Sequence, residues 1–395
     1  KSFGAKDSYG IRIVPFAKGA KETTLPWNGL GNTEKLWANL LDCVKTRAQP
    51  ACSIDIAVRV QAPLSMGVIS HRENKVVMFD FQRQQFTLSR AWSRIHRHAR
   101  DRGIFLFGDI PIFVAHDSAE VWAHPELFDL DAEGMPLAVA GVPPDYFSST
   151  GQRWGNPLYN WQVHLAEDFH WWTRRFIHQL QQCDMIRIDH FRGFQACWSI
   201  PAGEKTAENG HWEDVPGRKL LDKLQTINAK MPIIAEDLGV ITDDVEKLRD
   251  DFGLPGMNIL QFAFDSGPDN PYLPENQAVN SVVYTGTHDN DTTLGWWRSL
   301  PQAEKTQVRD YLGKRRPEMP WDLIELAMAS PARLCIIPCQ DILGLDKSAR
   351  FNTPGRATGN WQWQLSHEVL TSDLARRLRK LTARHHRYED KNAGD

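Results

Sequence analysis

A chain of 395 residues with 42% apolar content can bury a large core within a single elaborated domain. Its 46 basic and 49 acidic residues are well mixed, which leaves no basic field for nucleic acid or anionic lipid and favours a neutral partner. No run approaches the roughly 18 consecutive apolar residues of a membrane span, and the N-terminus lacks an apolar signal core, so a soluble, cytoplasmic setting without membrane partners is expected.

In chain order, residues 1–75 offer two candidate strands, IRIVPF (11–16) and SIDIAVRV (53–60), with no clear helix between them. The stretch 92–103, WSRIHRHARDRG, reads as an exposed helix face, with His96 and His98 solvated. From residue 104 short apolar runs recur: IFLFGDIPIF (104–113), MIRID (185–189), PIIAED (232–237), MNILQFAF (257–264), SVVYTGTHD (281–289) and RLCIIPCQD (333–341). Helical patterns separate most of them, among them Trp161 to Gln182, Arg218 to Lys230 and Asp243 to Phe252. Such alternation predicts a parallel sheet, and near-continuous apolar strands predict burial on both faces. Residues 114–160 form a Pro/Gly/Trp-rich insertion too long for an ordinary connection and too aromatic for a disordered one. The chain ends in RHHRYEDKNAGD, which is polar and expected to fray, with His385 and His386 solvated.

Asp109, Asp189, Glu236, Asp289 and Asp341 each lie at or near the C-terminal end of an apolar run. That regularity favours a barrel, whose active site is built at that face, over a doubly wound sheet, for which a glycine-rich phosphate loop is missing. In MIRIDHF, alternation puts Arg187 and Asp189 on one face, so the guanidinium is expected to lower the Asp189 pKa by about 1–3 units. Glu236, ending the next strand, can reach a leaving-group oxygen while Asp189 lies under an anomeric carbon, the pairing that retaining glycoside chemistry needs. Asp289 adds a carboxylate able to bind sugar hydroxyls, with His190 and His288 as neighbours. The 15 Trp, many beside Asp, Asn, Gly or Pro, suit a sugar-stacking cleft as well as a core. Six scattered cysteines fit buried free thiols better than disulfides or a zinc site, and no metal is expected.

The segments GDIPIFVAHDSAEVW, GVPPDYFSSTGQRWGNPLYNW, RIDHFRGF, PIIAEDLGVIT, GLPGMNILQFAF, YTGTHDNDT and NTPGRATGNWQW resemble, in order, the 4-α-glucanotransferases of glycoside hydrolase family 77, the amylomaltase or disproportionating type. The resemblance covers about residues 76–370. It implies a (β/α)8 TIM-type barrel with aromatic-rich loop insertions, and transfer of α-1,4-glucan segments between maltooligosaccharides without metal or organic cofactor. By motif position it makes Asp189 the nucleophile, Glu236 the acid/base and Asp289 the transition-state stabiliser. Arg187, His288 and Asp109 become sugar or carboxylate contacts, joined by His190 and Asp237. Asp145, Tyr146, Trp154 and Asn156 fall on the loop that guides glucan.

The expected organisation is an atypical N-terminal region at 1–75, a catalytic barrel domain at 76–370 with its insertion at 114–160, and a C-terminal helix and polar tail at 371–395. The family's first two strand motifs are not identifiable in residues 1–75. That departure predicts weak glucan binding and slow or absent transfer. The competing functions are an α-glucan hydrolase of the same clan and a non-catalytic glucan binder.

Overall fold

The computed structural model describes residues 10–13, 23–26, 81–144, 148–356, 358–366 and 369–387. Its elements begin with β1 (Gly10–Ile13) and β2 (Thr23–Pro26), followed by α1 (Phe81–Arg100), β3 (Phe107–Ile110), α2 (Ala119–Ala123), β4 (Ala138–Val142) and β5 (Gln152–Pro157). Next come α3 (Trp161–Ala166), α4 (His170–Gln182), β6 (Met185–Ile188), β7 (Ala196–Pro201), β8 (His211–Asp214), α5 (Gly217–Ile227), β9 (Ile233–Ala235), α6 (Asp243–Asp251) and β10 (Gly256–Ile259). The chain continues through β11 (Ser281–Tyr284), α7 (Thr293–Ser299), α8 (Gln302–Leu312), α9 (Trp321–Ala329), β12 (Leu334–Ile336), α10 (Cys339–Ile342) and α11 (Ser372–Arg384). These elements fall into two units, one made of residues 103–112, 168–197 and 212–395 and the other of residues 1–102, 113–167 and 198–211.

The first unit holds six parallel strands, β3-β6-β9 in one ladder and β10-β11-β12 in the next. The N–H of Ala235, which ends β9, donates to the carbonyl of Pro255 just before β10, at 2.8 Å, and so joins the two ladders. In β9 and β11 every position is buried, because both faces are covered. Ile234, Met257, Ile259, Val282 and Tyr284 cluster on one face with Met185, Leu334 and Ile336 packed against them. Val283, one residue out of phase, joins Leu260, Val308, Leu323 and Ala327 on the other face, where α8 and α9 lie. The strand period of two thus sorts one β11 sequence, SVVY, between two cores. Each fully buried Leu or Val contributes roughly 1.5–3 kcal/mol.

Several boundaries differ from the sequence reading. Of 104–113 only Phe107–Ile110 is strand, and of 333–341 only Leu334–Ile336, since Pro338 ends the run and opens α10. Asp341 therefore sits on a helix rather than at a strand end. The expected helix from Trp161 to Gln182 is two, broken where Asp168 and Phe169 adopt φ of 53° and 55°. Arg387, in the tail expected to fray, instead donates to the carbonyls of Ala327, Met328, Ser330 and Ala332 and caps the C-terminal end of α9. The rest of that tail, 388–395, lies outside the described residues, as do 53–60 and most of 1–75. Of the candidate strand at 11–16, residues 11–13 belong to β1, which pairs antiparallel with β2.

In the second unit, β4 pairs antiparallel with β5 on one side and with residues 198–201 of β7 on the other. The described residues of the insertion at 114–160 thus include a paired β-structure. Val139, Ile200 and Ala207 form its small core with Trp198. Tyr159 stacks on Phe113 at 5.9 Å and meets His164, which is fully buried against the carbonyl of Leu127. His96, expected to be solvated, is buried on α1. Among the described residues no helix is long and apolar enough to cross a membrane.

Candidate active site

Parallel pairing of β3 with β6 sets Asp109 directly opposite Arg187. Alternation carries Arg187 and Asp189 to one face, and the guanidinium lies between two carboxylates. Its Nη1 donates to Asp109 Oδ2 at 2.5 Å and its Nη2 to Asp189 Oδ1. The Arg187 side chain is only 9% exposed, so these carboxylates replace most of the water that would otherwise solvate it. The expected lowering of the Asp189 pKa does not follow. Although part of the side chain reaches solvent, burial and the like charges of Asp109 and Asp289 together outweigh Arg187, and the carboxyl is held above its usual range.

Glu236 follows β9, and both of its oxygens are fixed by backbone donors. Oε2 accepts from the N–H of His190 at 2.6 Å, and Oε1 from that of Leu238 at 3.1 Å. His190 can aim its N–H this way because its backbone is left-handed, with φ of 53°, an uncommon conformation for a residue with a Cβ. Burial and the nearby charge of Asp189 nevertheless push the Glu236 carboxyl up to about 7. The His190 ring, pushed down to about 4 by burial and by Arg192, is neutral at that pH.

Asp289 lies in the loop after β11. Its Oδ1 accepts from Asn352 Nδ2 at 2.6 Å, its carbonyl accepts from Arg350 Nη2 at 2.6 Å, and His288 Nε2 stands 3.5 Å from Oδ2. A cavity of about 320 Å³, lined in part by Asp109, Arg187, Tyr284, His288, Phe351 and Trp363, adjoins these groups. Among the described residues no group of three His, Cys, Asp or Glu side chains is placed to hold a metal ion. The unit thus joins a carboxyl that can deliver a proton near neutral pH to a second carboxyl gripped by a guanidinium.

A family model for 4-alpha-glucanotransferase, glycoside hydrolase family 77, matches residues 60–371. The chain belongs to this family. It is 53% identical over 305 residues to the 4-alpha-glucanotransferase of Thermus thermophilus, a match covering 75% of this chain and 61% of that protein. It is 52% identical to the protein of that name from Synechocystis, over 75% of this chain and 60% of the relative. The amylomaltase of Streptococcus agalactiae, solved in complex with acarbose, is 38% identical with a TM-score of 0.74, covering 77% of this chain and 62% of that one. The amylomaltase of Corynebacterium glutamicum, at 19% identity and a TM-score of 0.63, shares the fold. The fold is therefore the TIM-type barrel of the amylomaltases, to which the six parallel strands belong. The chain spans about 60% of the length of the first two relatives.

Within this glycoside hydrolase family 77 chain, one unit brings together Asp109, Arg187, Asp189, His190, Glu236, His288 and Asp289. Asp237 lies in the same unit, but its side chain is 6% exposed, pairs with Arg249 Nη1 at 2.5 Å and accepts from the N–H of Met257 at 2.7 Å. These bonds tie the end of β9 to β10 and α6. Trp154 and Asn156 lie on β5 of the other unit, where the Trp154 indole is 38% exposed and donates to Gln152 Oε1 at 3.2 Å. Asp145 and Tyr146 lie outside the described residues. Sequence reasoning missed Asn352 and Arg350, although Asn352 opens the NTPGRATGNWQW motif, and it missed the His190 N–H, which leaves no trace in residue type.

Proposed function

We propose that the chain carries the catalytic centre of a 4-alpha-glucanotransferase acting on α-1,4-linked maltodextrins by a retaining double displacement. The observation that carries this reading is the pairing of Glu236, with its carboxyl at about 7 and both oxygens oriented, with Asp189 in the grip of Arg187. Arg187 opposes the upward push on Asp189 at hydrogen-bond range, whereas it reaches Glu236 only through space. The two environments divide the roles of nucleophile and acid.

In the first step an Asp189 oxygen attacks the anomeric carbon while the Glu236 proton passes to the departing glycosidic oxygen, leaving a glycosyl ester on Asp189. In the second, the Glu236 carboxylate takes the proton of an acceptor glucan's hydroxyl, which attacks the same carbon and releases Asp189. Asp289, held by Asn352 and Arg350, binds ring hydroxyls more tightly as the ring flattens toward the oxocarbenium geometry. Acarbose, named in the complex of the S. agalactiae relative, is the expected inhibitor. Carbohydrate turnover in the cytoplasm is the proposed setting, although relatives from plants are named as chloroplastic or amyloplastic.

Product analysis on maltotriose tests the reading. Transfer gives glucose together with a ladder of longer oligomers. Shorter products alone would replace transfer by hydrolysis, and binding without turnover would leave a glucan binder.

A further inference from the structure

Asp289 sits in a loop that leaves β11 after Tyr284 and enters α7 at Thr293. Such a span has no ladder to fix it, yet a transition-state contact displaced by about 1 Å can cost on the order of a hundredfold in rate. Both ends of the span are tied to one side chain. Asp341, 1% exposed on α10, accepts from Thr285 Oγ1 at 2.6 Å, from Thr293 Oγ1 at 2.6 Å and from the Thr293 N–H at 2.7 Å. Thr285 and Thr293 are themselves fully buried. A buried carboxylate with three converging donors is a rigid joint, because losing any one of them leaves a desolvated polar group behind.

The preceding residue braces the other side of Asp289. Gln340, 3% exposed, donates through Nε2 to the carbonyl of Ala349 at 3.2 Å. Ala349 leads directly into Arg350 and Asn352, the two residues that hold the Asp289 carbonyl and carboxylate. One short helix thus anchors the loop that carries Asp289 and the segment that grips it. Inside the loop, Asn290 Oδ1 accepts from the Thr287 N–H and hydroxyl, and Gln261 Nε2 donates to the Asp291 carbonyl.

We propose that Asp341 is a positioning residue for Asp289: by clamping Thr285 to Thr293 it sets the path of residues 286–292 and hence the reach of the Asp289 carboxylate toward the sugar ring. Asp341 does not touch substrate and acts through Asp289. The catalytic part of this inference rests on the glucanotransferase reading above, whereas the structural part does not.

The test combines backbone hydrogen exchange with maltotriose kinetics for the parent chain, Asp341→Asn, Asp289→Asn and the double variant. Asp341→Asn is expected to speed exchange in 286–292 at least about tenfold while β6 and β9 stay at parent rates. It should lower kcat by about 10- to 100-fold with KM moving less than about threefold. In the Asp289→Asn background the same change should cost less than about threefold, because the group it positions is already lost. Equal losses in both backgrounds, loop exchange at parent level, or faster exchange with kcat unmoved would each overturn the proposal. Should Asp341→Asn fail to fold, Thr285→Val, which removes one donor and keeps the shape, is judged by the same criteria at smaller amplitude. A parent chain without turnover sinks the glucanotransferase reading, and the exchange data alone then decide whether Asp341 sets the loop.

Discussion

Glu236 carries a pH dependence whose sign can be worked through twice. As an acid it must hold its proton, so kcat/KM on maltotriose should fall about tenfold per pH unit above about 7. With glucosyl fluoride, whose leaving group needs little protonation, the glycosylation step should lack this alkaline limb, and a limb of the same position would reassign the acid. For stability, a carboxyl raised from 4.5 to about 7 contributes most below 4.5, and that contribution is lost as pH rises through 7. The parent should therefore lose ground to Glu236→Gln by up to roughly 3 kcal/mol between pH 4 and pH 8. Urea unfolding of both proteins at the two pH values measures it, and a pH-independent difference would refute the assignment. Arg187 carries the opposite liability. Arg187→Met leaves Asp109 and Asp189 without the cation between them, at a cost of about 3–5 kcal/mol by denaturant melts, with transfer abolished. Unchanged stability would mean that the pair is solvated rather than site-defining.

At the level of elements, two junctions invite measurement. Arg387 gathers four carbonyls at the end of α9, so Arg387→Met should cost about 2–3 kcal/mol in urea unfolding, while a frayed tail would cost nothing. Gly217 starts α5 so close to Phe194 that an added Cβ would stand 1.9 Å from the Phe194 carbonyl oxygen, which as backbone cannot step aside. Gly217→Ala is expected to lower Tm by several degrees, and an unchanged Tm would place α5 elsewhere. What the sequence could reveal here follows from the same physics. The central strands were legible because burial on both faces leaves apolar runs, and IIA of β9 and SVVY of β11 are buried at every position. Their ends were not, since a hydrophobic run continues into turns such as Leu260–Phe262, where the ladder has already stopped. The break at Asp168–Phe169 was invisible because nothing in Asp-Phe announces a positive φ. The carboxylates stood out by type and spacing, whereas the direction of the Asp189 shift depends on burial and on Asp109 and Asp289, neighbours that only the folded chain assembles.

For the whole molecule, the arrangement of holding groups matters more than any one of them. Glu236 is oriented by an amide that follows β6, and Asp289 by an amide side chain that follows β12. Each of these carboxylates thus takes a holding group from the far side of another strand end, Glu236 in addition to the Leu238 N–H of its own loop. Inheritance by exchange of segments is then constrained in pairs. Chimeras with other family members that import residues 281–292 alone should lose transfer even with every catalytic residue present, and those that import 281–292 together with 339–352 should keep it. Single-segment chimeras that retain full activity would mean that the holding groups are interchangeable across the family. If they are not, crossovers tolerated by selection should fall at the opposite ends of the strands, and the loops of this face should descend as a linked set.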